Sequence, residues 1–353
     1  MHILAIETSC DETAAAVVKE DRNVLSNVVV SQIQDHAPFG GVVPEIASRR
    51  HIELIRPTVD RSLEEAAISL EDLDGIAVTQ GPGLVGALLV GISFAKGLSY
   101  GLGIPLCGIN HLEGHLNAAW IENDPRYPHI GMVISGGHTS IYNVEGPGRI
   151  VEIGHTLDDA AGEAFDKVSK LLGLGYPGGI EIERISREID ADSSEIVLPR
   201  PMISDNSYNF SFSGLKTAVL KLVMELDIFP DKELRFSGLP KAMAPKRGKE
   251  HYIPQIAHAF QEAVFDVLEA KALKALKDFE AKSLVVTGGV ASNSRLRNRL
   301  ALMSKAHGVD LVIPDKRFCT DNAAMIGIAS IRCFTEGRLS DFSMNALSRW
   351  QIP

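Results

Sequence analysis

The histidines of His111-Leu112-Glu113-Gly114-His115 stand four residues apart, a spacing that puts both imidazoles on one face of a helix. Two imidazoles so placed suit a divalent metal. The segment resembles the H-E-x-x-H of zinc proteases, but there the glutamate directly follows the first histidine. Here Glu113 is two residues from each histidine, ~200° around a helix from either, which makes it a poor general base. Asp321, in Cys319-Thr320-Asp321-Asn322-Ala323 at an expected helix start, is the best third ligand. The remaining histidines, His51 among them, show no ligand spacing, and packing or surface roles are expected for them. His138, beside a glycine turn, is the exception.

Three polar turns offer further chemistry. Glu7-Thr8-Ser9-Cys10-Asp11-Glu12-Thr13 lies between two apolar runs. Its hydroxyls and N–H groups suit a phosphate, and Asp11 and Glu12 can orient a metal, a water or an amine. A plain hairpin turn would have the same composition. Ser135-Gly136-Gly137-His138-Thr139 again separates two strand-like runs, and successive glycine N–H groups form an anion-binding concavity. Gly288-Gly289-Val290-Ala291-Ser292-Asn293 leads from a strand into a helix, whose N-terminus suits a nucleotide, with Asn293 as a polar contact. Together the three point to a nucleotide-like ligand. No G-x-x-x-x-G-K-[ST] occurs, so a P-loop is excluded.

The elements that must position these residues come from short apolar runs and glycine breaks. Strands are expected at 2–6, 13–18 and 24–30, then a helix at 44–67, a strand at 75–79, a helix at 84–102, a strand at 106–109 and a helix at 111–121. After the turn-rich Asn123-Asp124-Pro125 the order restarts: strands at 130–135, 140–144 and 151–155 and a helix at 162–172. A largely helical insertion at about 180–281 precedes a strand at 283–287, a helix at 292–306, a strand at 311–313 and a helix at 320–336. Twice βββαβαβα predicts an α/β protein of two ribonuclease-H-like lobes around a central cleft, the actin, sugar-kinase and heat-shock ATPase architecture. The lobes are expected at 1–125 and 126–353, with the helix at 320–340 able to pack back on the first. One doubly wound α/β domain with a helical insertion is the alternative.

Composition agrees with a globular chain: 353 residues, 45% hydrophobic and 23% charged, enough to bury a core without staples. The net charge of −10 opposes polyanions, so nucleic-acid binding requires a local basic patch or a partner. The four scattered cysteines include no C-x-x-C pair, which excludes a zinc ribbon and argues against a disulfide framework. The start has no basic segment before its apolar run, so no signal peptide is expected. The glycine-rich apolar stretch 81–95 meets Lys96 after 15 residues, against the ~20 of a membrane span. A cytoplasmic protein without membrane contact is expected.

Taken jointly, Glu7–Thr13, His111–His115, Ser135–Thr139, the segment Asp158–Lys167, Tyr176-Pro177-Gly178-Gly179, Asn209–Thr217, Gly288–Asn293 and Cys319–Met325 form one pattern. It resembles the tRNA adenosine threonylcarbamoyltransferase family, once labelled glycoprotein endopeptidases, over residues 1 to about 340. The resemblance implies metal-assisted transfer of a threonylcarbamoyl group from threonylcarbamoyl-AMP to the exocyclic amine of the adenosine 3′ of the anticodon. The tRNAs are those reading codons that begin with A, and AMP is released. It implies His111, His115 and Asp321 as ligands of one divalent metal per chain, iron ahead of zinc. It also implies Val133, Ile134, Ser135, Gly136, Gly137, Asp166, Gly179, Glu183 and Asn293 as the adenylate-binding positions. Asp11 and Glu12 are the candidates for orienting or deprotonating the amine. The implied partners are tRNA, a catalytically silent relative of the same fold and a small ATPase.

Two departures stand out. Ile180 replaces the family's usual proline, which bears on the placement of the following helix and Glu183. The stretch 227–252 is longer than usual and carries Lys241, Lys246, Arg247 and Lys249, with Arg295, Arg297 and Arg299 forming a second basic group. Competing readings are a non-catalytic nucleotide-binding scaffold, a metalloprotease, and a sugar or acetate kinase.

Overall fold

A computed structural model of the chain describes residues 1–189, 196–230 and 244–352. Its strands are β1 (His2–Glu7), β2 (Glu12–Lys19), β3 (Val24–Ser31), β4 (Gly75–Gly81), β5 (Leu106–Asn110), β6 (His129–Ile134), β7 (Thr139–Gly146), β8 (Arg149–His155), β9 (Ser283–Thr287) and β10 (Asp310–Val312). Its α-helices are α1 (Ile33–His36), α2 (Pro44–Ala66), α3 (Val85–Leu102), α4 (His111–Asn117), α5 (Ala161–Leu171), α6 (Gly178–Ser186), α7 (Ser213–Glu225), α8 (Tyr252–Asp278), α9 (Ser294–His307), α10 (Lys316–Cys319) and α11 (Ala323–Thr335). They form two five-stranded sheets, ordered β3-β2-β1-β4-β5 and β10-β9-β6-β7-β8. The chain divides into two compact units, Met1–Pro125 with Val285–Gly288 and Val312–Pro353, and Arg126–Leu284 with Gly289–Leu311.

In the first sheet β1 runs antiparallel to β2 and parallel to β4, in a register that sets Ile3 opposite Val18, Ala5 opposite Ala16 and Glu7 opposite Ala14. The strand period of two sends Leu4, Ile6, Ala15 and Val17 to one face, where Ile55 and Val59 of α2 and Leu88 and Ile92 of α3 cover them. Ile3, Ala5, Ala16 and Val18 go to the other face, against Ala324, Met325 and Ile328 of α11. Both faces are buried, which is why the strands read as nearly continuous apolar runs. Alanines at 5 and 16 leave room for a close helix. A Cβ on Gly327 would stand 2.5 Å from Val18 Cγ2, so α11 lies directly on the sheet.

By element order alone α11 falls in the second half of the chain, yet it packs on the first sheet and on α4. It starts later than the sequence suggests, at Ala323, because the Asn322 side chain accepts the Met325 N–H and ends the preceding loop there. Cys107 on β5 and Cys333 on α11 are joined as a disulfide, against the expectation from cysteine spacing. Positions 226 residues apart give no local signal of pairing. Helix α3 is long and apolar enough to cross a membrane by length and composition. Its inner side packs against α2 and β4.

The second sheet places β6 antiparallel to β7, and β7 antiparallel to β8, with Val133 opposite Ser140 and Ile134 opposite Thr139. The described helices of the insertion are α6, α7 and α8; α8 is buried along most of its length, with Phe260 and Phe265 against Phe165 of α5.

Candidate active site

In the first unit β5 ends at Asn110, whose Oδ1 accepts from the N–H groups of Leu112 (2.9 Å) and Glu113 (3.2 Å) and thereby starts α4. That cap makes His111 the first helical residue, and one turn later His115 lies on the same side, the two rings edge to face at 4.7 Å. Gly114, between them, faces α11: a Cβ there would stand 2.7 Å from Ile326 Cδ1. The close approach of α4 and α11 draws in the loop that carries Asp321. Its Oδ1 is 3.1 Å from His115 Nε2 and 3.5 Å from His111 Nε2. One donor atom from each of His111, His115 and Asp321 lies within 4.8 Å of the others, a two-imidazole, one-carboxylate set suited to a first-row divalent metal.

Glu7, which sequence reasoning assigned no role, completes this arrangement. It is fully buried at the end of β1. Its Oε1 accepts the Ser9 N–H at 2.5 Å, and its Oε2 accepts the Thr79 hydroxyl at 2.5 Å and lies 3.1 Å from His111 Nδ1. Burial alone would raise the Glu7 pKa, but His111 outweighs it and holds the carboxylate below its ordinary value. Burial likewise opposes charge on His111, and Asp321 and Glu7 overcome it, lifting the pKa to about 9. His115 goes the other way: burial lowers it, and its bond to Asp321 only partly offsets that. A glutamate at the end of an apolar run and the start of a polar turn was the available sequence signal. Glu113 is held apart from this set; its charged neighbours are Arg338, Arg332 and Glu336.

The turn from Glu7 to Thr13 is packed from below by α3. Thr8 donates its hydroxyl to the Ala87 carbonyl (3.0 Å), and a Cβ on Gly91 would stand 2.4 Å from Thr8 Oγ1. Asp11 is 8% exposed, and Glu12 accepts from the Ser31 hydroxyl at 3.2 Å. Burial, then the charges of Asp11 and Asp321, push the Glu12 carboxyl well above its ordinary pKa. Asp11, Glu12 and Asp321 therefore share one electrostatic neighbourhood.

In the second unit, the Ser135–His138 turn joins β6 to β7 and is closed by the Ser135 N–H on the His138 carbonyl at 2.7 Å. Gly136 and Gly137 are exposed, and nothing lies within 4 Å of a Cβ built on either. The turn is seated on α5: the Gly162 N–H donates to the Ser135 carbonyl at 3.1 Å, and a Cβ on Gly162 would stand 2.6 Å from that oxygen. The side chains of Val133 and Ile134, at the end of β6, are fully buried.

Asp166 uses Oδ1 to accept the Gly178 N–H at 2.7 Å, fixing the start of α6. With Ile180 in place of proline, α6 still begins at Gly178, and Glu183 accepts the Ser294 N–H at 3.1 Å, tying α6 to α9. Gly179 has open space around its Cα. Asn293 caps α9 through Oδ1, and its Nδ2 donates to Gln261 at 2.9 Å. Its amide is already engaged on both sides. Thus Asp166, Gly179, Glu183 and Asn293 are linked through the starts of α6 and α9.

The basic groups differ from expectation. Arg299 is bound to Glu262, Asp266 and Glu269, and Arg295 to Glu262, so these arginines are neutralised locally. Lys246 pairs with Asp227, and the Lys249 ammonium lies over the Tyr252 ring. Lys241 lies outside the described residues.

A family profile described as tRNA N6-adenosine threonylcarbamoyltransferase matches residues 23–328. A protein of that name from Geobacter sp. (strain M21) is 50% identical over 352 residues, covering 100% of this chain and 97% of its own length. Among solved structures, component A of the (R)-2-hydroxyglutaryl-CoA dehydratase of Acidaminococcus fermentans aligns at a TM-score of 0.52 and 15% identity, over 94% of this chain and 98% of that one. T. kodakarensis HypF aligns at 0.57 and 14% identity, over 98% of this chain and 50% of that one. These likenesses establish the fold, that of the actin-like ATPases.

Proposed function

The chain belongs to the tRNA N6-adenosine threonylcarbamoyltransferase family and is a transferase acting on tRNA, and from that premise we propose its donor, its metal and the residues that do the work. The donor is threonylcarbamoyl-AMP, and the acceptor is the exocyclic amine of the adenosine 3′ of the anticodon in tRNAs reading codons that begin with A. The metal is a single divalent ion, iron ahead of zinc, held by His111, His115 and Asp321. The convergence of those three side chains, with Glu7 behind His111, is the observation that carries the reading.

A carbamoyl–phosphate mixed anhydride is already activated, so the protein has mainly to orient the reactants and stabilise charge. When bound, the metal supplies Lewis-acid stabilisation of phosphate or carbamoyl oxygens. The amine nitrogen attacks the carbamoyl carbon, the bond from that carbon to the phosphate oxygen breaks, and AMP leaves with the bond's electron pair. One carboxyl group of the Asp11–Glu12 pair orients the amine and takes its proton. Gly136 and Gly137, exposed in the turn that Ser135 closes through its own N–H, offer N–H groups to phosphate or acyl oxygens. Asp166, Gly179, Glu183 and Asn293 shape the adenosine end, the last mainly by fixing the start of α9.

Because the substrate is tRNA, we place the protein in the cytoplasm. A catalytically silent relative of the same fold and a small ATPase are its proposed partners, since a net charge of −10 disfavours tRNA binding by the chain alone. The test is incubation with threonylcarbamoyl-AMP and unmodified tRNA, followed by mass spectrometry of the nucleosides. Threonylcarbamoyladenosine at the position 3′ of the anticodon is expected. Its absence with a fully assembled, metal-loaded protein would overturn the assignment of donor and acceptor.

A further inference from the structure

His51 shows none of the ligand spacing that marks His111 and His115, and the sequence suggests only a packing role for it. The structure puts its ring to a more specific use. His51 is fully buried on α2. Its Nε2 lies 2.9 Å from the Cys10 carbonyl oxygen, and its Nδ1 lies 2.8 Å from Thr13 Oγ1. A carbonyl only accepts, so Nε2 carries the proton and Nδ1 takes the Thr13 hydroxyl. Burial lowers the pKa of His51, in keeping with a neutral ring of this single tautomer.

The two contacts bracket Asp11 and Glu12, one on the residue before them and one on the residue after. Gln32 reinforces the same turn. Its backbone N–H donates to the Asp11 carbonyl at 3.0 Å, and its side-chain amide is 3.3 Å from His51 Nδ1. The peptide that carries both carboxyl groups is therefore held at Cys10, Asp11 and Thr13 by two fully buried residues, His51 and Gln32.

We propose that His51 is a positioning residue for threonylcarbamoyl transfer, its two ring nitrogens clamping the turn on both sides of Asp11-Glu12 and so setting where those carboxyl groups stand. The inference rests on the assignment of Asp11 and Glu12 to the incoming amine. A misplacement of about 1 Å at reacting groups costs on the order of 100-fold in rate. His51→Leu should therefore lower kcat by about 10- to 100-fold while KM for the adenylate and metal content stay near wild type. His51→Gln, which keeps a donor for the Cys10 carbonyl, should recover part of that loss.

Cys10 supplies a readout independent of turnover. It is a thiol inside the clamped turn and outside any disulfide, whereas Cys319, also outside any disulfide, is buried two residues before Asp321. Alkylation followed by peptide mass spectrometry should show faster labelling of Cys10 in His51→Leu and no change at Cys319. Wild-type kcat in that variant, or a fall in kcat with Cys10 labelling unchanged, would overturn the proposal. If Cys319 also labels faster the molecule has opened generally, and Thr13→Val, which deletes one clamp contact alone, decides by the same two measurements. Asp11→Asn and Glu12→Gln run in parallel separate the two claims. Full turnover in both would remove the assignment of the carboxyl groups, while Cys10 labelling would still report whether His51 clamps the turn.

Discussion

Glu7 Oε2 lies 3.1 Å from His111 Nδ1, and both side chains are buried. The contact holds a proton on Nδ1 and aims Nε2 at Asp321, the carboxylate–histidine pairing of many metal sites. Glu7→Gln preserves shape and removes the charge. Metal affinity should fall about 10- to 100-fold. The His111 pKa should also fall from its value of about 9, measurable by NMR titration of metal-free protein. Wild-type affinity in a folded Glu7→Gln protein would show that the pair does not tune the site.

The ligands themselves make a stronger test. His111→Ala, His115→Ala and Asp321→Ala should each abolish stoichiometric metal in the purified protein, because the donor set found among the described residues consists of these three side chains. Full occupancy in a correctly folded His115→Ala protein would refute the site.

Protons and metal compete for His111. The residue is raised from 6.5 to about 9 in the folded, metal-free chain, so its stabilising contribution is complete below pH 6.5 and is lost as pH rises through 9. Metal binding must displace that proton. Affinity should therefore rise by about tenfold per pH unit towards 9 and then level off, one proton being released per ion bound. Titrations in buffers of different ionisation enthalpy would count the protons. No proton release at pH 7 would mean that His111 is already neutral.

What could be read from the sequence follows the range of each interaction. The histidine pair is local, so helix geometry alone places both rings on one face. Asp321 is 206 residues from His115, and only its position at a helix start marked it out. Glu7 and His51 act through contacts across the first sheet and from α2, and a single buried polar residue has no spacing to betray it. The repeated βββαβαβα order was visible because strand and helix periods are local as well. The attachment of α11 to the first sheet was legible only as an option open to the last helix, since it depends on Gly114 and Gly327 admitting close approach to Ile326 and Val18. Asn293 was read from its glycine turn as a polar contact for a nucleotide, and its cap on α9, which depends on the local backbone turn, was not read.

The second-unit turn can be probed without disturbing the core. Gly136 and Gly137 have open space at the Cβ position, and neither has a left-handed backbone. Gly137→Val should fold with little loss of stability and weaken a threonylcarbamoyl-AMP analogue by calorimetry. Gly162→Val, whose Cβ would press on the Ser135 carbonyl, should lower the melting temperature instead. Unchanged affinity in Gly137→Val would exclude this turn from the adenylate site.

Transfer RNA brings roughly one negative charge per nucleotide to a protein of net charge −10, so phosphate contacts must come from cations without strong local partners. Arg295 and Arg299 are tied to Glu262, Asp266 and Glu269, and removing them would leave half-buried acids unpaired. Their replacement by alanine should destabilise α8 and α9 and leave the salt dependence of tRNA binding unchanged. Arg247 and Lys249 are better placed, and Lys246 would have to exchange an exposed pair with Asp227, which is a small cost. Changing Lys246, Arg247 and Lys249 together to alanine should flatten the slope of log affinity against log salt by up to ~2–3 units in the partner-assembled complex. Metal content and adenylate affinity should not change, because none of the three touches either site. A slope identical to wild type would remove this segment from the tRNA-binding surface and leave the phosphate contacts to the partners.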